Sequence, residues 1–301
     1  MFTHSIYSRD MTTTMRTMSL RILTLNVWMD PRDRDKRNAL LLAGLRQHDP
    51  DIVFLQEVLR TPERDVFGTV AADSPLHWQH VSDHLDVDWP AWGTAVGVRW
   101  APTSTSVHPL PATEGTHVWE VVVPLPIGVD MLFLGARPSW KFSDEAARVE
   151  QALFIAELEA AQRRTAPTVL AGDFDAAPDQ DCIRFYTGKS AIGGRSVAFR
   201  DSWAIAGGGG PGYTWTTDSP WVARSVVDGQ GIVPNRFVQE PHHRRIDYVF
   251  AGSTENHLLV ESTITDSRVV FDEYPTASDH YGVLSELELR RLDEPTARLM
   301  G

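Results

Sequence analysis

Six positions in this chain set an acidic or amide side chain at the end of a strand-like apolar run. Asn26 follows LTL, Glu57 follows VFLQ, Asp173 and Asp175 follow VLAG, Asp247 stands in RIDY, and Asp279-His280 come after Ser278. One carboxylate at a strand end is ordinarily a turn former or a helix cap, and Asp51 is read that way. Several such ends converging on one edge of a sandwich make a different object, a pocket of oxygen donors around a hard cation. Mg²⁺ takes such a site, using one or two carboxylates together with waters and substrate phosphate oxygens. A histidine beside it, here His280, would supply a cation or a general acid.

The elements that must carry these residues are readable from periodicity. Alternation over Arg21–Val27 predicts a strand, and Asp35–Gln47 places Ala39, Leu40, Leu41 and Leu45 at helical spacing. A short buried strand is expected over Asp51–Leu55. Gly93–Trp100 and Thr116–Pro124 read as antiparallel neighbours, followed by a strand over Asp130–Ala136. Ser143–Arg164 is a long helix with Ala147, Val149, Leu153, Phe154, Ile155 and Leu158 on one face, and Thr168–Ala171 is the strand running into Asp173. The Gly-, Ser- and Pro-rich stretch 187–235 is mainly loop, and Arg245–Phe250, Leu258–Thr265 and Gly282–Leu289 are closing strands. Strand–helix–strand pieces among many short strands imply an α/β (α+β) four-layer sandwich, two mixed β-sheets face to face with helices outside. Residues 1–18 read as a leader, 19–292 as the domain and 293–301 as a tail.

Composition narrows the partners. Twenty-eight basic against forty acidic residues leave a net charge of −12 over 301 residues. Non-specific DNA affinity comes mostly from Lys and Arg neutralising phosphates, so nucleic acid is possible but not favoured. Cys182 is the only cysteine, which excludes an internal disulfide and fits a reducing, cytoplasmic setting. The N-terminal residues lack the apolar core of a secretory signal, and no apolar run is long enough to span a bilayer.

The ordered set LTLNVW (23–28), FLQE (54–57), GDFDAAP (172–178), RIDYVF (245–250) and SDHYGV (278–283) resembles the endonuclease/exonuclease/phosphatase superfamily over roughly residues 20 to 290. The resemblance implies a phosphoesterase dependent on Mg²⁺ or Mn²⁺. By that resemblance Glu57 is the principal metal ligand, with Asn26 and Asp279 assisting. Asp173 orients or deprotonates the attacking water, and His280, held by Asp247, stabilises the charge that develops on the scissile phosphate.

Two positions depart from the family pattern. Asp175 stands where Asn is usual, and Arg137, in LGARPSW (134–140), stands about where a strand histidine is usual. The first adds a negative charge and the second a permanent positive one, so an Arg137–Asp175 ion pair would compensate the two changes. They also keep open a scaffold with lost or altered chemistry, beside the alternative of a nuclease. Among the remaining residues, His243 and Arg245 in the run His242-His243-Arg244-Arg245 are candidates for a substrate phosphate. Trp221 is the candidate for stacking on a ligand, whereas Trp203 and Trp215 are expected in the core.

Overall fold

Alternation along the first strand shows how the protein is layered. In the computed structural model, which describes residues 16–30, 32–61, 64–82, 92–162, 165–222, 242–253 and 258–293, β1 spans Thr17–Asn26. Its Leu20 and Ile22 enter one apolar cluster, while Leu23 and Leu25 enter another on the opposite face. The first cluster lies between two sheets and the second lies under a helix. A strand presents successive side chains to opposite faces, so β1 is buried on both sides, and its near-continuous apolar run follows from that.

The chain continues through α1 (Arg34–His48), β2 (Ile52–Thr61), β3 (Arg64–Asp65), α2 (Val66–Asp73), β4 (His77–Ser82), β5 (Trp92–Val98), β6 (Ser104–Pro109), β7 (His117–Leu125) and β8 (Val129–Arg137). Then come α3 (Glu145–Ala161), β9 (Val169–Asp173), α4 (Asp181–Tyr186), β10 (Phe199–Asp201), α5 (Ser202–Ala206), β11 (Trp215–Thr216), β12 (His243–Arg244), β13 (Asp247–Gly252), β14 (Val260–Val270) and β15 (Gly282–Arg291). One sheet has the order β14-β15-β1-β2-β5-β4, with β3 attached to β2. The second runs β10-β13-β9-β8-β7-β6, and β11-β12 form a small ribbon. Both large sheets are mixed, with β1–β2 parallel in one and β8–β9 parallel in the other.

Three apolar layers hold these parts together. Phe54, Val96, Val121, Phe133, Val169, Val249 and Leu287 fill the space between the sheets. Leu41 and Leu45 of α1 with Val66 and Val70 of α2 cover the outer face of the first sheet. Ala152, Ile155 and Ala156 of α3 with Ile183 and Phe185 of α4 cover the second. The four-layer sandwich expected from the sequence is therefore present. No helix among the described residues is long and apolar enough to cross a membrane.

Strands 93–100 and 116–124 are not neighbours as expected. β5 pairs with β2 and β4 in the first sheet, whereas β7 pairs with β6 and β8 in the second. β4 and β6, which carry weak apolar patterning, are the partners that separate them. β1 begins at Thr17, inside the expected leader, because Thr17 and Met18 pair with Arg290 and Leu289 of β15; residues 1–15 and 294–301 lie outside the described residues.

The sheets meet closely at Gly135 of β8, where an added Cβ would stand 2.2 Å from the Phe54 ring. Gly135→Ala should therefore destabilise the fold by about 1–3 kcal/mol, the usual scale for overpacking a core. Urea denaturation checks this, and an unchanged midpoint would show that the two sheets can separate freely there.

Candidate active site

The inner-face stripe that packs the sheets together turns polar at one end. On β9, Val169 and Ala171 face the inter-sheet core and Asp173 is the next residue of that stripe; on β13, Val249 and Ala251 do so and Asp247 shares their parity. Asn26 follows Leu20 and Ile22 on β1 in the same way, and Arg137 follows Met131 and Phe133 on β8. Side-chain period two thus delivers an amide, two carboxylates and a guanidinium to the same edge. β9 and β13 are paired with Asp247 directly opposite Asp173.

Glu57 arrives differently. The β2–β5 register slips between Leu55 and Val58, and Glu57 sits there with a φ of 56°. A β-bulge bends the strand and re-aims one side chain, and a left-handed conformation is strained for a side chain of this size. Glu57 Oε2 accepts the Met29 N–H at 3.2 Å, and its Oε1 lies 3.6 Å from the Arg137 guanidinium.

The remaining distances knit the group together. Ligand atoms of Asp173, Asp247 and His280 lie within 4.8 Å of one another, and all three residues are buried. His280 Nδ1 is 3.1 Å from Asp247 Oδ2. Asn26 Nδ2 donates to Asp173 Oδ2 at 3.0 Å, and the Asp175 N–H donates to Asp173 Oδ1 at 3.2 Å. His280 is fixed from behind by the bridge Trp215↔His280 and by its N–H to Ser278 Oγ.

Charge is crowded here. Burial works against the imidazolium of His280, yet Asp247 and Asp173 hold its pKa well above the ordinary value. Burial, helped by Asp173, pushes the Asp175 carboxyl up to about 8 against the pull of Arg244, His280 and Arg137. Asp175 keeps 19% of its side chain exposed, and solvent there tempers the shift. Asp247 and Asp279 are both raised to about 6, chiefly by burial, with Glu57 adding to the rise of Asp279. Asp247 Oδ1 is buried and has no hydrogen-bond partner. A hard divalent cation fits between Glu57 and Asp279, whose carboxylates repel each other and, with the Asn26 amide, offer oxygen donors.

The expected Arg137–Asp175 pair is replaced by two others. Arg137 is buried, pairs with Glu57 and lies 4.7 Å over the Trp92 ring. Asp175 pairs with Arg244 at 3.6 Å, and Arg244 also donates to the Asp175 carbonyl at 2.6 Å. Arg245, the expected phosphate contact, is turned the other way, forming a 2.8 Å ion pair with Asp201 and stacking on Tyr248. His243 stacks on Tyr213 and lies 3.8 Å from Asp218. Trp221 is buried against Trp28, with its indole N–H on the Thr276 carbonyl, so it packs the loops instead of facing a ligand. Trp215 is in the core as expected, while Trp203 is half-buried.

Sequence reading missed three contributors. Arg244 alternates with Arg245, and only the ribbon β11–β12 decides which of the two faces Asp175. His117 lies directly opposite Arg137 and is hydrogen-bonded to Thr94; its place in the stripe with Trp119 and Val121 was the available signal. Arg37 of α1 is 2% exposed and donates to the carbonyls of Val27, Trp28, Asp30 and Ala277, tying the loop after Asn26 to the loop before Asp279.

The family model for the Endonuclease/Exonuclease/phosphatase family matches residues 23–280. The chain belongs to that family. Members of the family are hydrolases acting on phosphoester bonds. No curated protein matches the chain by sequence, but solved structures do. D. rerio TDP2 complexed with single-strand DNA product is 17% identical, with 89% of this chain and 98% of that chain covered and a TM-score of 0.66. The endonuclease/exonuclease/phosphatase from Bacteroides vulgatus is 17% identical, covering 91% and 100%, also at 0.66. The human Nocturnin catalytic domain with bound sulfate is 14% identical, covering 90% and 94%, at 0.65. At these identities the likeness is one of fold.

The raised groups set a pH dependence. Asp175, Asp279 and His280 all bind protons more tightly folded than unfolded, so without divalent cation stability falls as pH rises. For Asp175 the window runs from the ordinary 3.8 to about 8. His280 contributes fully below its unfolded value of 6.5 and loses that contribution as pH passes its raised folded value. Melting temperature in EDTA should drop between pH 5 and pH 8, and Asp175→Asn should flatten the drop by on the order of 1 kcal/mol. A wild-type curve that rises with pH would contradict the assignment.

Proposed function

We propose that this protein hydrolyses a phosphate ester by in-line attack of water, using Mg²⁺ or Mn²⁺. The observation that carries the reading is the buried Asp173–Asp247–His280 group at the end of the inter-sheet core, joined by Asn26. Asn26, Glu57 and Asp279 would hold the cation, which supplies charge neutralisation at the phosphate oxygens when bound. Asp173, Asp247 and His280 also lie close enough together to ligate an ion. We assign the cation to the first set because its donors are all oxygens, which suit Mg²⁺, whereas His280 is hydrogen-bonded to Asp247 and held toward its protonated form, which has no lone pair for a metal.

The chain's own residues then divide the work. Asp173, held by the Asn26 amide and the Asp175 N–H, orients the water and accepts its proton. His280, steadied through Nδ1 by Asp247, uses its remaining N–H to stabilise charge on the phosphate. Arg137 and Arg244 border the same pocket as permanent cations. The net charge of −12 supports a small phosphorylated molecule or lipid head group. A nuclease is the alternative, because a similar structure is a DNA complex; nicking of plasmid DNA with Mg²⁺ would favour it.

A second reading, the same scaffold with altered chemistry, is favoured by one observation. Arg137 already neutralises part of Glu57 at 3.6 Å, where the family pattern has a histidine. Metal binding separates the readings.

Hydrolysis of bis-p-nitrophenyl phosphate should stop with EDTA and return with Mg²⁺ or Mn²⁺; full turnover after exhaustive chelation excludes the metal mechanism. Calorimetry should show Mn²⁺ binding that Glu57→Ala removes and His280→Ala retains. His280→Ala should still lower kcat about a hundredfold or more, the scale of losing one transition-state stabiliser. Wild-type protein that binds no Mn²⁺ would leave the altered-chemistry reading standing.

A further inference from the structure

Arg137 reaches from one sheet to the other to meet Glu57. It is the last residue of β8 in the second sheet. Its guanidinium lies 3.6 Å from Glu57 Oε1 and 4.7 Å over the Trp92 ring, both in the first sheet. Glu57 and Trp92 come together because β2 and β5 resume pairing after the bulge, Val58 opposite Gly93 and Leu59 opposite Trp92. On the β8 side, His117 of β7 is paired with Arg137, and Gly172 of β9 with Ala136. Arg137 is buried. Its charge is thus built into the fold beside Glu57, and the Trp92 ring favours a cation there.

Both oxygens of Glu57 are engaged, Oε2 by the Met29 N–H at 3.2 Å and Oε1 by Arg137. To serve as a metal ligand, Glu57 would have to share its carboxylate between a divalent cation and the guanidinium. Two cations at one carboxylate repel each other. A histidine, usual here in the family pattern, can shed its proton and withdraw its charge. An arginine cannot.

A phosphate changes the balance. The planar guanidinium donates through a fork that matches two phosphate oxygens. A dianion set between the guanidinium and a divalent cation is attracted by both, so it offsets the repulsion that opposes them when it is absent.

We propose that Arg137 couples cation binding to phosphate binding, so that Glu57 holds the cation weakly alone and firmly once a phosphate dianion is present. The inference rests on the phosphoesterase reading and adds the way its parts assemble. Such coupling is reciprocal, so the phosphate gains from the cation by the same factor.

Calorimetry on the full chain tests this by titrating Mn²⁺ with and without sodium sulfate, a soluble stand-in for the phosphate dianion, at constant ionic strength. Sulfate should tighten Mn²⁺ binding by the wild type at least about tenfold, within the usual range of coupling between sites. Arg137→Met keeps an apolar stem and removes the charge. Without sulfate it should bind Mn²⁺ at least about tenfold more tightly than the wild type, and sulfate should add about threefold or less. Arg137→Lys, which keeps the charge, should follow the wild type in both comparisons. Arg137→Gln, with the same expectations as the methionine variant, replaces it if that protein does not melt cooperatively. Equal or weaker Mn²⁺ binding by the neutral variant overturns the coupling, and so does a sulfate effect of the same size in variant and wild type. If hydrolysis of bis-p-nitrophenyl phosphate still stops with EDTA, the phosphoesterase reading survives that failure. Protein that binds Mn²⁺ under neither condition and hydrolyses no ester overturns both.

Discussion

A strand cannot change which face its residues occupy without a bulge, and the site of this protein is built on that constraint. Val169, Ala171 and Asp173 share one face of β9, as do Met131, Phe133 and Arg137 of β8. The apolar members lock the two sheets together over the core, and the polar members follow at its end with no freedom to turn away. The one acidic residue whose strand does not deliver it by parity, Glu57, needs the break in register between Leu55 and Val58 and a left-handed φ of 56°. Strain of that kind persists only where surrounding packing over-determines it. Val58, fully buried, and Met29, hydrogen-bonded through its N–H, hold it on either side.

Loops take over where strands end, and two buried arginines make them rigid. Arg37 gathers carbonyls from both sides of the site edge, between Trp28 and Trp221, and so ties the Asn26 and Asp279 segments to α1. Arg148 does the same for the segment after Arg137 from the opposite helical layer. Hydrogen bonds to a charged donor are stronger than neutral ones, and a buried carbonyl left unpaired is costly. Each guanidinium therefore replaces several backbone partners that a strand or helix would have supplied.

Carboxylates outnumber cations in the centre, and this imbalance shapes its behaviour. Burial drives Asp175, Asp247 and Asp279 above the ordinary carboxylate range, helped by Asp173 for the first two and by Glu57 for the third, while Asp247, Asp173 and Asp279 drive His280 up. Arg137 and Arg244 offset only part of that charge, each from its own partner. Such a cluster is held in readiness for positive charge, and the cost of its unmet repulsion falls on the folded state as pH rises.

The sequence by itself determined the four layers, the helices α1 and α3 and the strand ends that carry Asn26, Asp173, Asp247 and Asp279-His280; Glu57, expected just past a short strand 51–55, sits instead at a bulge inside β2, which runs on to Thr61. Local periodicity and turn chemistry act over a few residues, so they are legible in any one segment. Tertiary structure decided the partners. It put β5 and β7 in different sheets by inserting β4 and β6 beside them, and it set Arg137 against Glu57 and Asp175 against Arg244. It also turned Arg245 toward Asp201 and brought His117 opposite Arg137. Parity says which face a residue takes, but register and sheet order join residues far apart in the chain. Those are chosen by the packing of whole layers, which no single segment encodes.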